Sequence, residues 1–168
     1  MDFLENVTFD EIKIGDTCIY DKTLTESDVI LFAAVSGDVN PVHLSKTFAS
    51  ESMFKERIAH GMWSGSLVSA TLATVMPGPG TIYLSQSLNF KRPVKIGDAL
   101  QVILKATEKN YDKKTVTFHC SVINQDDKEV LNGTATVIAP IVKIKIDKPV
   151  LPKILISNHS PLPSTTTL

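Results

Sequence analysis

Residues 61–76 read GMWSGSLVSATLATVM, and this stretch decides the fold. It is the most apolar segment of the chain, it is studded with Gly, Ala, Ser and Thr, and it stops at Pro77. Small side chains let a helix approach other backbone closely, and proline ends a helix because it lacks an N–H and its ring clashes with the preceding turn. The segment therefore predicts a buried central helix, approached closely on most sides. It is too short and too rich in hydroxyls to be a membrane span, which takes about 20 apolar residues.

After the turn PGPG at 77–80, the run TIYLSQSLNFKRPV places Ile82, Leu84, Leu88 and Phe90 on one face with Gln86 interrupting, the period of a strand. ALQVILKATEKN, KTVTFHCSVINQ and EVLNGTATVIA follow at hairpin spacing, with NYDKK and NQDDKE as the turns between them. On the N-terminal side, a first strand around Thr17–Leu24 precedes TESDVILFAAVSGD, in which Thr25 and Asp28 form a capping box. Val29, Phe32, Ala33 and Ser36 then recur at helical spacing and Gly37 supplies the stop. DVNPVHLS has the turn chemistry of an Asx residue before proline, a short helix is expected from about Ser45 to Phe54, and the loop KERIAHG leads into the central helix. Strand, helices and then four strands make an α+β domain whose antiparallel sheet packs against one helix.

The chain is 168 residues long, 43% hydrophobic and 21% charged, which suits one globular domain with a sizeable core. Its 17 basic and 18 acidic residues give a net charge of -1, so no broad electrostatic grip on nucleic acid or an anionic membrane is indicated. The N-terminus, MDFLENVTFDEIKIGD, is acidic where a signal peptide is basic and lacks an apolar run, which points to a cytoplasmic protein. Cys18 and Cys120 lie in no CxxC or Cys/His cluster and read as small buried hydrophobes, with neither a zinc site nor a disulfide framework. No metal or redox cofactor is expected, since there is no ligand cluster and no dinucleotide fingerprint. A composition shift at Pro140 divides the chain into a domain over 1–139 and a proline-rich tail or linker over 140–168. Five of the nine prolines fall in that tail, and VKIKI within it has room for a short edge strand.

The chemistry concentrates in Asp38-Val39-Asn40-Pro41-Val42-His43. Pro41 holds Asn40 extended, so a carboxylate and an imidazole on one rigid turn can converge as a general acid/base pair. The same residues also read as turn punctuation after a helix-ending glycine. Gly61, at the mouth of the central helix, has no side chain to keep a substrate carbonyl from the unpaired backbone amides, so it is the candidate oxyanion site. His60 before it reads as a structural hydrogen-bonding residue. Ser64, Ser66 and Ser69 belong to no GxSxG elbow and read as packing hydroxyls. Lys91 and Arg92 form a small positive spot that suits either phosphates or a solvated edge. Met53, Met62 and Trp63 are either pocket wall or plain core. His119 and His159 have no partner at ligand spacing and receive no role.

The stretches AAVSGDVNPVHLS, FKERIAHGMWSGSLVSATL and PGPGTIYLSQSLNFKRPVKIGD resemble the MaoC-like dehydratases, and within them the (R)-specific enoyl-CoA hydratases. D-x-N-P-x-H, HGM and Y-L-x-Q-S-x-x-F-K-x-P-V occur in order over about Ile14–Ala139. The resemblance implies a hot-dog fold, an antiparallel sheet wrapped on the long helix. It implies that Asp38 and His43 flank a water and add it syn to a trans-2-enoyl-CoA, giving an (R)-3-hydroxyacyl-CoA, with short acyl chains expected. It also implies Gly61 as the oxyanion amide, Ser69 near the site, Lys91 and Arg92 as candidates for the CoA phosphates, and a homodimer joined edge to edge. Which of Asp38 and His43 donates and which accepts stays open, because a coupled pair titrates as a unit. The tail resembles the linker of fusions that join such a domain to a phosphate acyltransferase, either as a fused half or as a partner. An acyl-CoA thioesterase and a non-catalytic acyl-CoA-binding or assembly domain are the alternatives, since one fold serves several functions.

Overall fold

A computed structural model describes residues 3–156 of the chain. Its main body is a five-stranded antiparallel sheet in the order β2-β4-β5-β6-β3, built from β2 (Thr17–Thr23), β3 (Ile82–Phe90), β4 (Ala99–Asn110), β5 (Thr115–Ile123) and β6 (Glu129–Ile138). The strands read from the sequence all form. A separate two-stranded pair joins β1 (Phe3–Glu5) to β7 (Lys145–Asp147), with Phe3 opposite Asp147 and Glu5 opposite Lys145. VKIKI thus contributes to a short strand at the place expected, whereas β1 has no counterpart in the sequence reading.

The sheet curls around α4 (Gly61–Thr74). Alternate residues of β4 and β5 point inward, Leu100, Val102, Leu104 and Ala106 from one and Val116, Phe118, Cys120 and Val122 from the other, all at most 2% exposed. They meet Trp63, Leu67, Val68 and Leu72 of α4 in one core. Each of the Val, Leu and Phe side chains among them contributes about 1.5–3 kcal/mol on burial. One side of α4 differs from expectation. Met62, Ser66 and Ala73 are exposed and Ser69 is half-buried, so the helix is covered on a broad face rather than on most sides. These four recur at steps of 3 and 4, the spacing of one helical face. The structure is thus the α+β hot-dog arrangement.

Strand β3 lies at the sheet edge with Ile82, Leu84 and Phe90 half exposed. Gly133 of β6 sits opposite Leu88, where an added Cβ would lie 1.9 Å from the Ser87 carbonyl oxygen, so only glycine lets these two strands approach. The other edge, β2, leads into α1 (Glu26–Ser36). Its capping box forms as read, the Thr25 hydroxyl accepting from the Asp28 N–H and the Asp28 carboxylate accepting from the Thr25 N–H. Gly37 ends the helix in the left-handed conformation, φ 76°, as a glycine stop does. The Asx-Pro turn becomes a four-residue helix, α2 (Pro41–Leu44), because proline is at home in a first helical turn. The next helix, α3, is shorter than expected, Lys46–Glu51.

The boundary expected after residue 139 falls inside packed structure. Pro140 is buried, and the Asn6 side chain, 1% exposed, donates to the Pro79 and Val142 carbonyls while accepting from the Ile144 N–H. The Ser/Thr/Pro run from 157 and His159 lie outside the described residues.

Candidate active site

Three segments meet at the start of α4. The first is the turn after α1, where the Asp38 carboxylate accepts from the Asn40 N–H at 3.1 Å and the Asn40 side chain caps α2 by accepting from the Val42 N–H. The second is α2 itself, which carries His43, 8% exposed. The His43 Nδ1–H donates to the Ile58 carbonyl at 2.9 Å, which leaves Nε2 with a free lone pair. The third is the strand-like approach to α4, held to the sheet by the Ala59 N–H donating to the Val94 carbonyl at 2.8 Å. It delivers His60, 2% exposed, and then Gly61 as the first residue of the helix.

One ligating atom each from Asp38, His43 and His60 lie within 4.8 Å of one another. A water oxygen can therefore lie about 2.8 Å from both the Asp38 and the His43 atom, a hydrogen-bonding distance. The set suits a metal less well. His43 Nδ1 and His60 Nε2 are committed to backbone carbonyls, which leaves each ring only one nitrogen to offer.

A cleft of about 400 Å³ opens here, lined among others by His43, Met53, Gly61, Ser64, Phe90 and Lys91. Of the residues singled out in the sequence, His43, Gly61, Lys91 and Arg92 line it, whereas Asp38 is exposed and outside the lining, joined to His43 through the 4.8 Å cluster. The Arg92 guanidinium also donates to the Glu129 carbonyl, which ties it to β6. Ser69 is not among the lining residues. It sits eight positions beyond Gly61, about 12 Å along the helix axis, on the open face with Met62 and Ser66. Ser64, one turn from Gly61 and 3% exposed, lines the cleft instead. Met53 is a wall residue, Trp63 is core and Met62 is on the open face. His119 is exposed on β5, and Cys120 is fully buried.

A sheet wrapped on one helix, with Asp38, His43 and His60 gathered near that helix's N-terminus, defines a hot-dog protein with a polar cluster beside its cleft. The MaoC like domain model matches residues 13–127, and the chain belongs to that family. It is 46% identical over 134 residues to an (R)-specific enoyl-CoA hydratase of Rhodospirillum rubrum, covering 79% of this chain and 91% of that one. It is 42% identical over 132 residues to a 3-hydroxybutyryl-CoA dehydratase of Methylorubrum extorquens, covering 79% and 83%. Among solved structures, the unliganded R-hydratase PhaJ1 of Pseudomonas aeruginosa superimposes with a TM-score of 0.89 at 48% identity, covering 92% of this chain and 99% of that chain. That 92% exceeds what residues 1–139 can supply, so the likeness runs into the segment read as a tail.

Proposed function

We propose that this chain is an (R)-specific enoyl-CoA hydratase, adding water syn to a trans-2-enoyl-CoA to give an (R)-3-hydroxyacyl-CoA. The observation that carries the reading is the convergence of Asp38 and His43 beside Gly61. Water held by the pair attacks C3 as it loses a proton to one of them, and C2 receives a proton from the other. A C–O and a C–H bond form while the double bond breaks. The negative charge that develops on the thioester oxygen meets the unpaired amides at the start of α4, where the helix dipole adds partial positive charge. The Nδ1–H bond of His43 to Ile58 fixes the ring and turns Nε2 toward this work.

Several finer readings go with this. The cleft of about 400 Å³ must also take the thioester and its arm, which supports short acyl chains. Lys91 and Arg92 at its wall support a role with the CoA phosphates. The open β3 edge with half-exposed Ile82, Leu84 and Phe90 supports a homodimer joined through that strand, and Ser69 belongs to a face a second copy can cover. The hydratase domain is better drawn through Asp147 than to residue 139, because β7 pairs with β1. The unlike half of an acyltransferase fusion then loses its main support. No helix among the described residues is long and apolar enough to cross a membrane, and two unpaired cysteines support a cytoplasmic setting.

The test is loss of enoyl-thioester absorbance with crotonyl-CoA and longer homologues, with product stereochemistry assigned by an (R)-specific dehydrogenase. Turnover to the (R) product, falling at least about a hundredfold in Asp38→Asn and in His43→Gln, is the expected result. Release of free CoA thiol instead of hydration establishes the thioesterase, and binding of an unreactive acyl-CoA without turnover establishes the non-catalytic alternative.

A further inference from the structure

The geometry points to His60 as the positioning residue that holds both members of the acid/base pair in register with Gly61, an inference that rests on the reading of Asp38 and His43 as that pair. His60 is 2% exposed and lines the cleft with His43 and Gly61, and its Nε2–H is committed to a backbone carbonyl rather than to a substrate. Its Nε2–H donates to the Asp38 backbone carbonyl at 2.9 Å, a contact across 22 residues that ties the turn after α1 to the start of α4. Its ring stacks on His43 with centroids 3.8 Å apart, and on its other side Phe32 lies at 5.1 Å. It is also bonded to Gly61, so one side chain and one peptide link reach all three groups of the proposed chemistry.

The backbone that carries His60 is fixed from both directions. The Ala59 N–H donates to Val94, and the Trp63 N–H donates to the His60 carbonyl at 3.0 Å. A rigid mount of this kind transmits position, which a side chain on a loose loop does not. A second observation separates this role from ordinary core packing. Buried polar side chains are as a rule fully hydrogen-bonded, yet His60 Nδ1 is buried with no partner among the described residues. An apolar ring would fill the same space without that cost. What the imidazole adds is one N–H aimed at the Asp38 carbonyl and a flat face against His43.

The contribution is geometric. Displacement of a catalytic group by about 1 Å is enough to lower the rate a hundredfold. Losing the His60 donor frees the Asp38 turn, and losing the ring frees His43 to tilt away from the Ile58 carbonyl. His60 itself lines the cleft with His43 and Gly61, but Met53, Phe90 and Lys91 supply other parts of the wall, so substrate binding is expected to change less than the rate.

The experiment measures crotonyl-CoA hydration in the full chain for His60→Ala, His60→Gln and His60→Phe, beside Asp38→Asn and His43→Gln. The expected result is a loss of kcat of about 30- to 100-fold in His60→Ala with KM changed less than about threefold. His60→Gln, whose side-chain amide nitrogen reaches nearly the Nε2 position, recovers at least about tenfold of that loss. His60→Phe keeps the stack without the donor and stays low. If His60→Ala keeps kcat within about threefold while Asp38→Asn and His43→Gln lose theirs, the positioning role is overturned and the reading of the pair stands. Equal losses in Ala, Gln and Phe that follow their melting temperatures overturn it as well, in favour of plain packing. Where His60→Ala does not fold, the comparison of Gln with Phe decides alone. Retained activity in Asp38→Asn removes the underlying reading, and the role of His60 falls with it.

Discussion

At Gly61 the absence of a side chain does two separable things. An ideal Cβ there would rest 3.4 Å from the Phe90 ring, an ordinary contact, so alanine fits the unliganded protein. In the proposed reaction the same methyl group would occupy the space a thioester carbonyl needs to reach the helix amides. Gly61→Ala is therefore expected to melt within a few degrees of the parent, while kcat/KM for crotonyl-CoA falls by about 10- to 100-fold. A loss of stability in step with activity would assign Gly61 to packing instead. The thiols show the opposite balance. Burial pushes Cys18 up to about 11 and Cys120 up to about 12, so both stay protonated and unreactive at neutral pH. Cys120 is fully buried as read, whereas Cys18, on the edge strand β2, is only half-buried. At this scale Asp38, His43 and Gly61 are legible because each belongs to a short local pattern, D-x-N-P-x-H or the glycine before an apolar run. The partnership of His60 with Asp38 is not, since it spans 22 residues and runs through a backbone carbonyl that no sequence pattern marks.

Among the elements, α1 carries the clearest signature and the clearest pH dependence. Burial raises the Asp28 carboxyl, but its bonds to Thr25 and Lys22 outweigh that and hold it below the usual carboxylate range. A carboxyl lowered by folding adds stability above its unfolded value of about 3.9 and loses it as the pH falls through the folded value. Asp28→Ala is thus expected to cost about 1 kcal/mol at pH 7, with the gap to the parent closing in denaturant titrations carried below about pH 4. A gap independent of pH would remove the carboxylate from the cap. Elements with a period or a cap were readable in this way, including α1, α4 and the strands β2 to β6. Among the short ones, β7 is marked by the alternation of VKIKI, whereas β1 has three residues and exists only because it pairs with β7 across the length of the chain, and α2 hides in a turn signal because its four residues begin with proline. The period of Ile82, Leu84, Leu88 and Phe90 identified a strand correctly, yet periodicity alone does not reveal that three of the four remain half exposed at an edge.

For the whole molecule, that edge is the main unfinished surface. A strand with free backbone groups and apolar side chains is a template for another strand, and pairing two copies about a two-fold axis removes the hazard. On the proposal that two copies pair through β3, the parent runs as a dimer and Ile82→Lys combined with Leu84→Lys as a monomer in light scattering behind size exclusion. An unchanged dimer would mean that the contact uses another face. The cleft includes Phe90 of the same strand, so the monomeric variant should also lose substrate affinity.

The clasp between β1 and β7 bears on how the domain can be attached to anything else. Phe3 lies opposite Asp147, and Asn6 locks both segments to the PGPG turn beyond the far end of α4. The helix is 14 residues long, about 21 Å at 1.5 Å per residue, and the cleft is at its other end. The first and last ordered strands therefore exit side by side, a helix length from the catalytic groups. That arrangement makes the fold a plug-in unit. It can be inserted between two other segments with the entrance to the cleft left clear.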